Sequence, residues 1–212
     1  EIVAQSAWIF EENSGGVEFG RTPISQVGNS FEIGGSVFNF GAEDQTNVIL
    51  DVNFTGPTTI TASESVDLLE TDSTHTYSIM SSLDLEVGLY EGVYNFSSDN
   101  DTSGDNNTLK RNFEITNNVY SLDGIGIHPE EDLTISSLGT ASFLDASDLV
   151  CATMYSFKNN DTISSITAEL GTTSANAEII AYVIDSTNFF DGNFGEAISM
   201  SDLYVVTEDD VA

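Results

Sequence analysis

The feature that most constrains this chain is the period of its apolar residues. Val48, Leu50, Val52 and Phe54 alternate with Ile49, Asp51 and Asn53 before a Gly56-Pro57 turn. His75, Tyr77 and Ile79 fall on one side of a second run, Tyr90, Gly92, Tyr94 and Phe96 share a face of a third, and Phe113 and Ile115 close the series. Successive side chains of an extended strand point to opposite faces, so this alternation describes half-buried strands, while helical periodicity is almost absent. Turn-rich segments separate the runs at spacings of roughly ten residues, the signature of an antiparallel sandwich rather than of a parallel sheet covered by helices. The expected fold is all-β: an immunoglobulin-like antiparallel β-sandwich followed by a second, jelly-roll-like β domain.

A local signal supports the sandwich. In Leu85-Glu86-Val87-Gly88-Leu89-Tyr90 a tyrosine follows a glycine-containing turn, the arrangement of the tyrosine corner, whose hydroxyl bonds back to the backbone a few residues upstream. Tyr90 and Gly88 are the structural candidates. The alternative reading is that Tyr90 is an inward aromatic with no special bond.

Four segments follow from the composition along the chain. Residues 1–30 read as an N-terminal arm or the end of a preceding domain, and residues 31–118 as the sandwich. Residues 119–150, with scattered glycine, Pro129 and the acidic Glu130, Glu131 and Asp132, read as a connecting segment. Within residues 151–212, strands are expected at 154–157, 163–170 and 177–185, with a fourth candidate at 203–206. Four strands do not close a jelly roll, so this second domain is expected to be incomplete or to borrow a strand.

Charge excludes whole classes of partner. Across 212 residues there are 35 Asp and Glu against 4 Lys and Arg, a formal net charge of −31. Nucleic acid and anionic membrane both require clustered Lys and Arg, so neither is expected to bind. With 40% hydrophobic residues the chain can still fill a core, and the acidic surface reads as a solubilising one. No apolar run reaches the ~18 residues of a membrane span. The chain begins at Glu1 with neither methionine nor a signal segment, the expectation for a processed protein or an excised fragment.

Groups with chemistry are few. Cys151 is the sole cysteine, so no disulfide can form within the chain, and beside Leu149 and Val150 it is expected to be a small buried residue. His75 and His128 have no companion at ligand spacing. The sequence contains no G-x-S-x-G elbow, no H-E-x-x-H helix and no phosphate-cradling glycine loop. Glu11 with Glu12, and Asp209 with Asp210, are adjacent, and in a strand adjacent side chains face opposite ways. Trp8, Phe10 and Phe19 are candidates for an aromatic platform, with packing on an adjoining domain as the plainer reading.

One loop has the pattern of a metal site. Ser97-Ser98-Asp99-Asn100-Asp101-Thr102-Ser103-Gly104-Asp105-Asn106-Asn107-Thr108 presents Asp99, Asp101 and Ser103 at alternate positions before a glycine, with Asp105 and Asn107 after it. These are the oxygen donors and spacing of a calcium loop, and hard oxygens favour Ca2+ over zinc or copper. Position 12, where a bidentate glutamate belongs, is Lys110, so any site is weak; the alternative is a polar hairpin loop in which Asn, Asp, Ser and Gly supply turn geometry.

The order of these motifs resembles a known family. Residues 47–60, then Gly88 to Tyr90, Asp105 to Thr108, Phe113 to Thr116 and Val119 to Asp123, are similar to the adhesion-type, CARDB-like immunoglobulin domains of secreted Bacteroidota proteins. Arg21 to Gln26 resembles the short lead-in that precedes them. The resemblance covers roughly residues 20–123 and implies a large multidomain protein exported by the type IX secretion system to the cell surface or medium. Asp-(Ser/Thr) triplets at 72–74, 161–163 and 185–187 resemble the O-glycosylation sequon of the same organisms, with Ser73, Thr162 and Ser186 as acceptors. No catalytic residue comes with the resemblance. The expected function is a non-catalytic extracellular structural or adhesion module whose partners are neighbouring domains or other surface proteins. The alternatives are a carbohydrate-binding accessory region presenting Tyr155, Phe157, Phe189, Phe190 and Phe194 to a glycan, and the non-catalytic part of a larger secreted hydrolase.

Overall fold

A computed structural model describes the chain apart from residues 13, 15, 17–19, 129–132, 135, 137, 144–147, 172–173, 193–195 and 212. It is almost all β and divides into two compact units: Glu1–Thr134 with Ser156–Asn159, and Ile135–Tyr155 with Asn160–Ala212.

The first unit is a β-sandwich. One sheet orders β1 (Ile2–Glu11), β3 (Ser30–Asn39) and β6 (Ser73–Ser82). The other orders β2 (Arg21–Pro23), β8 (Thr108–Thr116), β7 (Gly88–Ser97), β4 (Gln45–Thr55) and β5 (Ile60–Leu69). All pairings are antiparallel except β2 with β8, which run parallel. The chain crosses between the layers several times, with β1, β3 and β6 in one and the hairpins β4–β5 and β7–β8, with β2, in the other. The alternations of β4, β7 and β8 are realised, with Val48, Leu50, Val52, Phe54, Tyr90, Tyr94, Phe96, Phe113 and Ile115 buried between the layers, while in β6 Tyr77 is buried and His75 and Ile79 are half-buried.

Aromatic contacts organise the core. Tyr90 stacks on Phe113 with ring centroids 4.8 Å apart, and Phe54 meets Phe113 and Tyr94 edge-on at 5.5 and 5.7 Å. Offset-stacked and edge-on pairs are the arrangements the ring quadrupole favours. Gly88 opens β7 with φ of +148°, and a Cβ there would overlap Pro57. Only glycine takes that backbone conformation freely.

The limits of the sandwich differ from the expected ones. Residues 1–30 contribute β1 and β2 to it. In β1 the register shifts between Ala4 and Ser6, so Ile2 faces inward on one side of the irregularity and Ala7, Ile9 and Glu11 on the other. A bulge of this kind moves the inward set from one parity to the other. At the far end the unit continues past residue 118: Arg21 and Ser121 exchange backbone hydrogen bonds at 2.7 and 2.8 Å, and Asn112 donates to the Ile127 carbonyl at 3.0 Å.

The second unit is described by itself. Its ladders are two short pairs, β9 (Glu178–Ile179) with β12 (Tyr204–Val205) and β10 (Tyr182–Val183) with β11 (Ser199–Met200), beside one short helix, α1 (Ser186–Phe190). Among the described residues there are two ribbons here rather than the two broad sheets of a jelly roll. Residues 154–157 and the described residues of 163–170 form no strand. Ile163 and Ile166 are exposed, and a strand without a laddered neighbour leaves its backbone groups to water. Cys151 is exposed rather than buried, because no strand covers the irregular segment that holds it.

Candidate functional site

The loop between β7 and β8 separates the residues that the sequence pattern groups. Asp99 turns toward β4, accepting from Asn47 Nδ2 at 3.3 Å and from Thr46 Oγ1 at 3.5 Å. Asp101 turns toward the start of β1, accepting from the Ile2 backbone N–H at 3.3 Å, from the Ser103 N–H at 3.4 Å and from Asn107 Nδ2. Asn106 Nδ2 donates to Glu1 Oε1 at 3.4 Å, and the Ala4 N–H donates to the Asn106 carbonyl at 3.0 Å. The side-chain Oδ1 atoms of Asn106 and Asn107 are buried acceptors without a hydrogen-bond partner among the described residues. Calcium takes six to eight oxygens, several of them carboxylate. Here the two carboxylates diverge, and among the described residues no group of three or more His, Cys, Asp or Glu is placed to hold a metal ion. In this arrangement Asp101 is a brace that ties the β7–β8 hairpin to β1.

Tyr90 makes the corner. Its hydroxyl accepts the Glu86 backbone N–H at 2.9 Å and lies 3.2 Å from the Glu86 carbonyl and 3.1 Å from Thr58 Oγ1. Two further tyrosines act alike: Tyr94 donates to the Trp8 carbonyl and Tyr77 to the Val48 carbonyl, each at 2.8 Å. Burial, then the negative charge of Glu64, holds the Tyr77 hydroxyl far above the usual tyrosine pKa. The Tyr77 and Tyr94 bonds cross from one sheet to the other, joining β6 to β4 and β7 to β1.

A second built feature lies at the 3-10 turn Ile24–Gln26, which follows β2. Gln26 is only 1% exposed. Its Oε1 accepts from the backbone N–H groups of Lys158 and Asn159 at 2.9 and 3.2 Å, and its Nε2 donates to the Asn159 carbonyl at 3.2 Å. Asn159 Nδ2 donates to the Ser25 carbonyl at 2.6 Å, and the Lys158 ammonium pairs with the buried Glu11 carboxylate. Burial lowers the Lys158 pKa, while the adjacent carboxylate favours its charged form. Tyr120 completes the slot: its hydroxyl donates to the Ser156 carbonyl at 3.2 Å and its ring meets Phe157 edge-on at 5.7 Å. Nothing in the sequence links residues more than a hundred positions apart, although a lysine in so acidic a chain is itself a weak signal of a dedicated partner.

The other candidates do not assemble. Ser73 donates to the Glu70 carbonyl at the start of β6, Thr162 lies in an exposed segment, and Ser186 is exposed at the first position of α1. Phe157 belongs to the slot on the first unit, whereas Phe189 and Phe190 meet edge-on in the second. Trp8 and Phe10 are half-buried on β1; Phe19 and Phe194 lie outside the described residues. His75 rests edge-on against Tyr77, and His128 Nδ1 accepts from the Asn112 N–H at 3.3 Å. A shallow depression on the five-stranded sheet is lined by Asp51, Asn53, Ser63 and Asn95, with no histidine or cysteine. Among the described residues no helix is long and apolar enough to cross a membrane.

No family model matches the sequence, and no curated protein matches it. Solved structures give a distant likeness in chain course. A crystal structure from Bacteroides fragilis, provisionally named a beta-galactosidase, aligns at 16% identity and a TM-score of 0.35, over 51% of this chain and 16% of that one. A likeness this remote transfers no activity.

Proposed function

We propose that this chain is a non-catalytic structural or adhesion module of a larger extracellular or cell-surface bacterial protein. The observation that carries the reading is that the large buried polar side chains of the sandwich hold the fold, while Thr22 Oγ1 and the Oδ1 atoms of Asn106 and Asn107 are without a partner among the described residues. The hydroxyls of Tyr77, Tyr90 and Tyr94, the amide of Gln26 and the His128 imidazole end on the chain itself. Asn39, fully buried, donates to the Glu43 and Leu69 carbonyls and accepts the Gly41 N–H. Such a module transmits position and load between neighbours, and its net charge of −31 keeps it soluble and apart from nucleic acid and anionic lipid.

A carbohydrate-binding accessory role is the second reading, and Trp8 favours it. The indole occupies the space a Cβ of Gly34 would fill, on the outer face of the three-stranded sheet, and its Nε1 donates to Glu32 Oε1 at 3.3 Å. Ser6 and Ser36 join hydroxyls across the same pair of strands at 2.5 Å. A half-exposed aromatic ring with hydroxyls and a carboxylate around it suits the alternating apolar and polar faces of a pyranose.

Domain exchange separates the two readings. Replacing residues 1–134 within the parent protein by an unrelated sandwich of similar size preserves surface display and adhesion if the module is a spacer. Loss of adhesion, with display intact, would assign the module a ligand of its own. Trp8 is the single tryptophan, so a saturable change of its fluorescence with a soluble glycan identifies a sugar.

A further inference from the structure

We infer that the slot formed by Glu11, Ser25, Gln26 and Tyr120 is a peptide-recognition site for a bent segment carrying Lys-Asn, filled in this chain by its own residues Ser156–Asn159. The four residues belong to the sandwich unit although the chain on either side of them belongs to the other unit. They form no strand, so no ladder explains why they lie there. What holds them is side-chain recognition.

Four contacts read the backbone, the Tyr120 hydroxyl on the Ser156 carbonyl among them, and three read side chains, the Tyr120 ring on Phe157 among them. Gln26, with its side chain buried, clamps a bend at Lys158 and Asn159: its oxygen takes their two successive N–H groups and its nitrogen meets the Asn159 carbonyl. This fixes a bent backbone without specifying sequence. Sequence enters through Asn159, whose amide reaches the Ser25 carbonyl, and through Lys158, which enters beside Glu11. Glu11 is 6% exposed. A buried carboxylate without a cation is costly, so the slot favours lysine strongly over a neutral residue. Gly28 makes the space, because a Cβ there would overlap the Glu11 carboxylate and approach the Lys158 ammonium. The chain has 4 basic residues in all, and one of them is committed to this position.

Covalent attachment supplies the segment at an effective concentration in the millimolar range, so a free peptide of ordinary affinity does not compete with it. Disabling the attached copy, backbone donors included, exposes the slot. The test uses the full chain carrying Lys158→Pro and Asn159→Pro, which remove both N–H groups as well as both side chains, with hydrogen exchange of the described strands confirming that the sandwich is folded. The probe is a synthetic peptide of residues 154–161, Met-Tyr-Ser-Phe-Lys-Asn-Asn-Asp.

The expected result is saturable binding of that peptide to the double variant by calorimetry, with restored amide protection at 24–28 and no binding to the unaltered chain. Adding Gln26→Ala weakens binding by about tenfold or more, since three hydrogen bonds are lost, and a peptide with Glu in place of its lysine does not bind. Should the double variant fail to fold, Asn159→Pro alone serves with the same peptide, since it removes the Asn159 N–H and the Asn159 amide together. Absence of binding to a folded variant with the slot vacated, or equal binding of the lysine and glutamate peptides, overturns the assignment and leaves residues 156–159 as an ordinary part of the fold.

Discussion

Tyr90 and Glu86 are joined through one hydroxyl, which accepts the Glu86 N–H at 2.9 Å and faces its carbonyl at 3.2 Å. The same oxygen lies 3.1 Å from Thr58 Oγ1. With its single proton directed to the Glu86 carbonyl, the tyrosine oxygen accepts from both Glu86 and Thr58, and Thr58 is the donor. The hydroxyl thus fixes the turn before β7 to the segment after β4.

Tyr90→Phe removes all three contacts and strands the Glu86 N–H. The expected loss is ~1–2 kcal/mol of stability, read as a lower urea midpoint at unchanged slope. An unchanged midpoint would make Tyr90 an aromatic filler on Phe113 and nothing more.

Gly88→Ala is expected to destabilise the sandwich by ~1–3 kcal/mol, because φ of +148° is strained for any residue with a Cβ. The clash with Pro57 adds to this. Pro57→Ala in the same chain restores only the part due to the clash, so thermal unfolding of the single and double variants separates backbone strain from contact.

Tyr77 gives the sandwich an alkaline limit. Its pKa is raised in the folded state, first by burial and then by Glu64, so the folded state favours the neutral hydroxyl. The stabilisation is complete below the unfolded tyrosine pKa of about 10 and is lost progressively as pH rises above it. Urea midpoints measured upward from about pH 9 should therefore fall, and fall less steeply in Tyr77→Phe. Equal slopes in the two proteins would remove Tyr77 from the explanation.

Calcium and magnesium at equal millimolar concentration are expected to raise the melting temperature equally, by screening a chain of net charge −31. Asp101→Ala lowers the melting temperature with or without either ion, since the Ile2, Ser103 and Asn107 bonds are lost. A calcium-specific rise that disappears in Asp101→Ala would restore the loop as a metal site.

What could be read in the sequence is what depends on near neighbours. The alternation of Val48 to Phe54 and of Tyr90 to Phe96 gives two strands because every second residue faces one core. Gly88 and Tyr90 mark the corner because that bond spans four residues. The parts that were missed depend on distant ones. The irregularity between Ala4 and Ser6 breaks the period of β1, so residues 1–11 do not announce a strand. Asp99 and Asp101 sit at ligand spacing, but their partners, Asn47 and Ile2, come from other strands. Gln26 and Asn159 are separated by 133 residues, and no local pattern pairs them.

β1 is an integral strand of the sandwich, laddered to β3 and tied to the opposite layer through Tyr94 and the Trp8 carbonyl. Native-state hydrogen exchange resolved by residue tests it most directly, since a strand of the cooperative core opens only with global unfolding. The ladder-bonded amides of Ile2–Glu11 should be protected to the same free energy as those of β3 and β7, and Tyr94→Phe should lower protection in β1 and β7 together. Exchange of the β1 amides at the rate of an unstructured peptide, with β3 and β7 still protected, would contradict it and return residues 1–30 to the status of an arm.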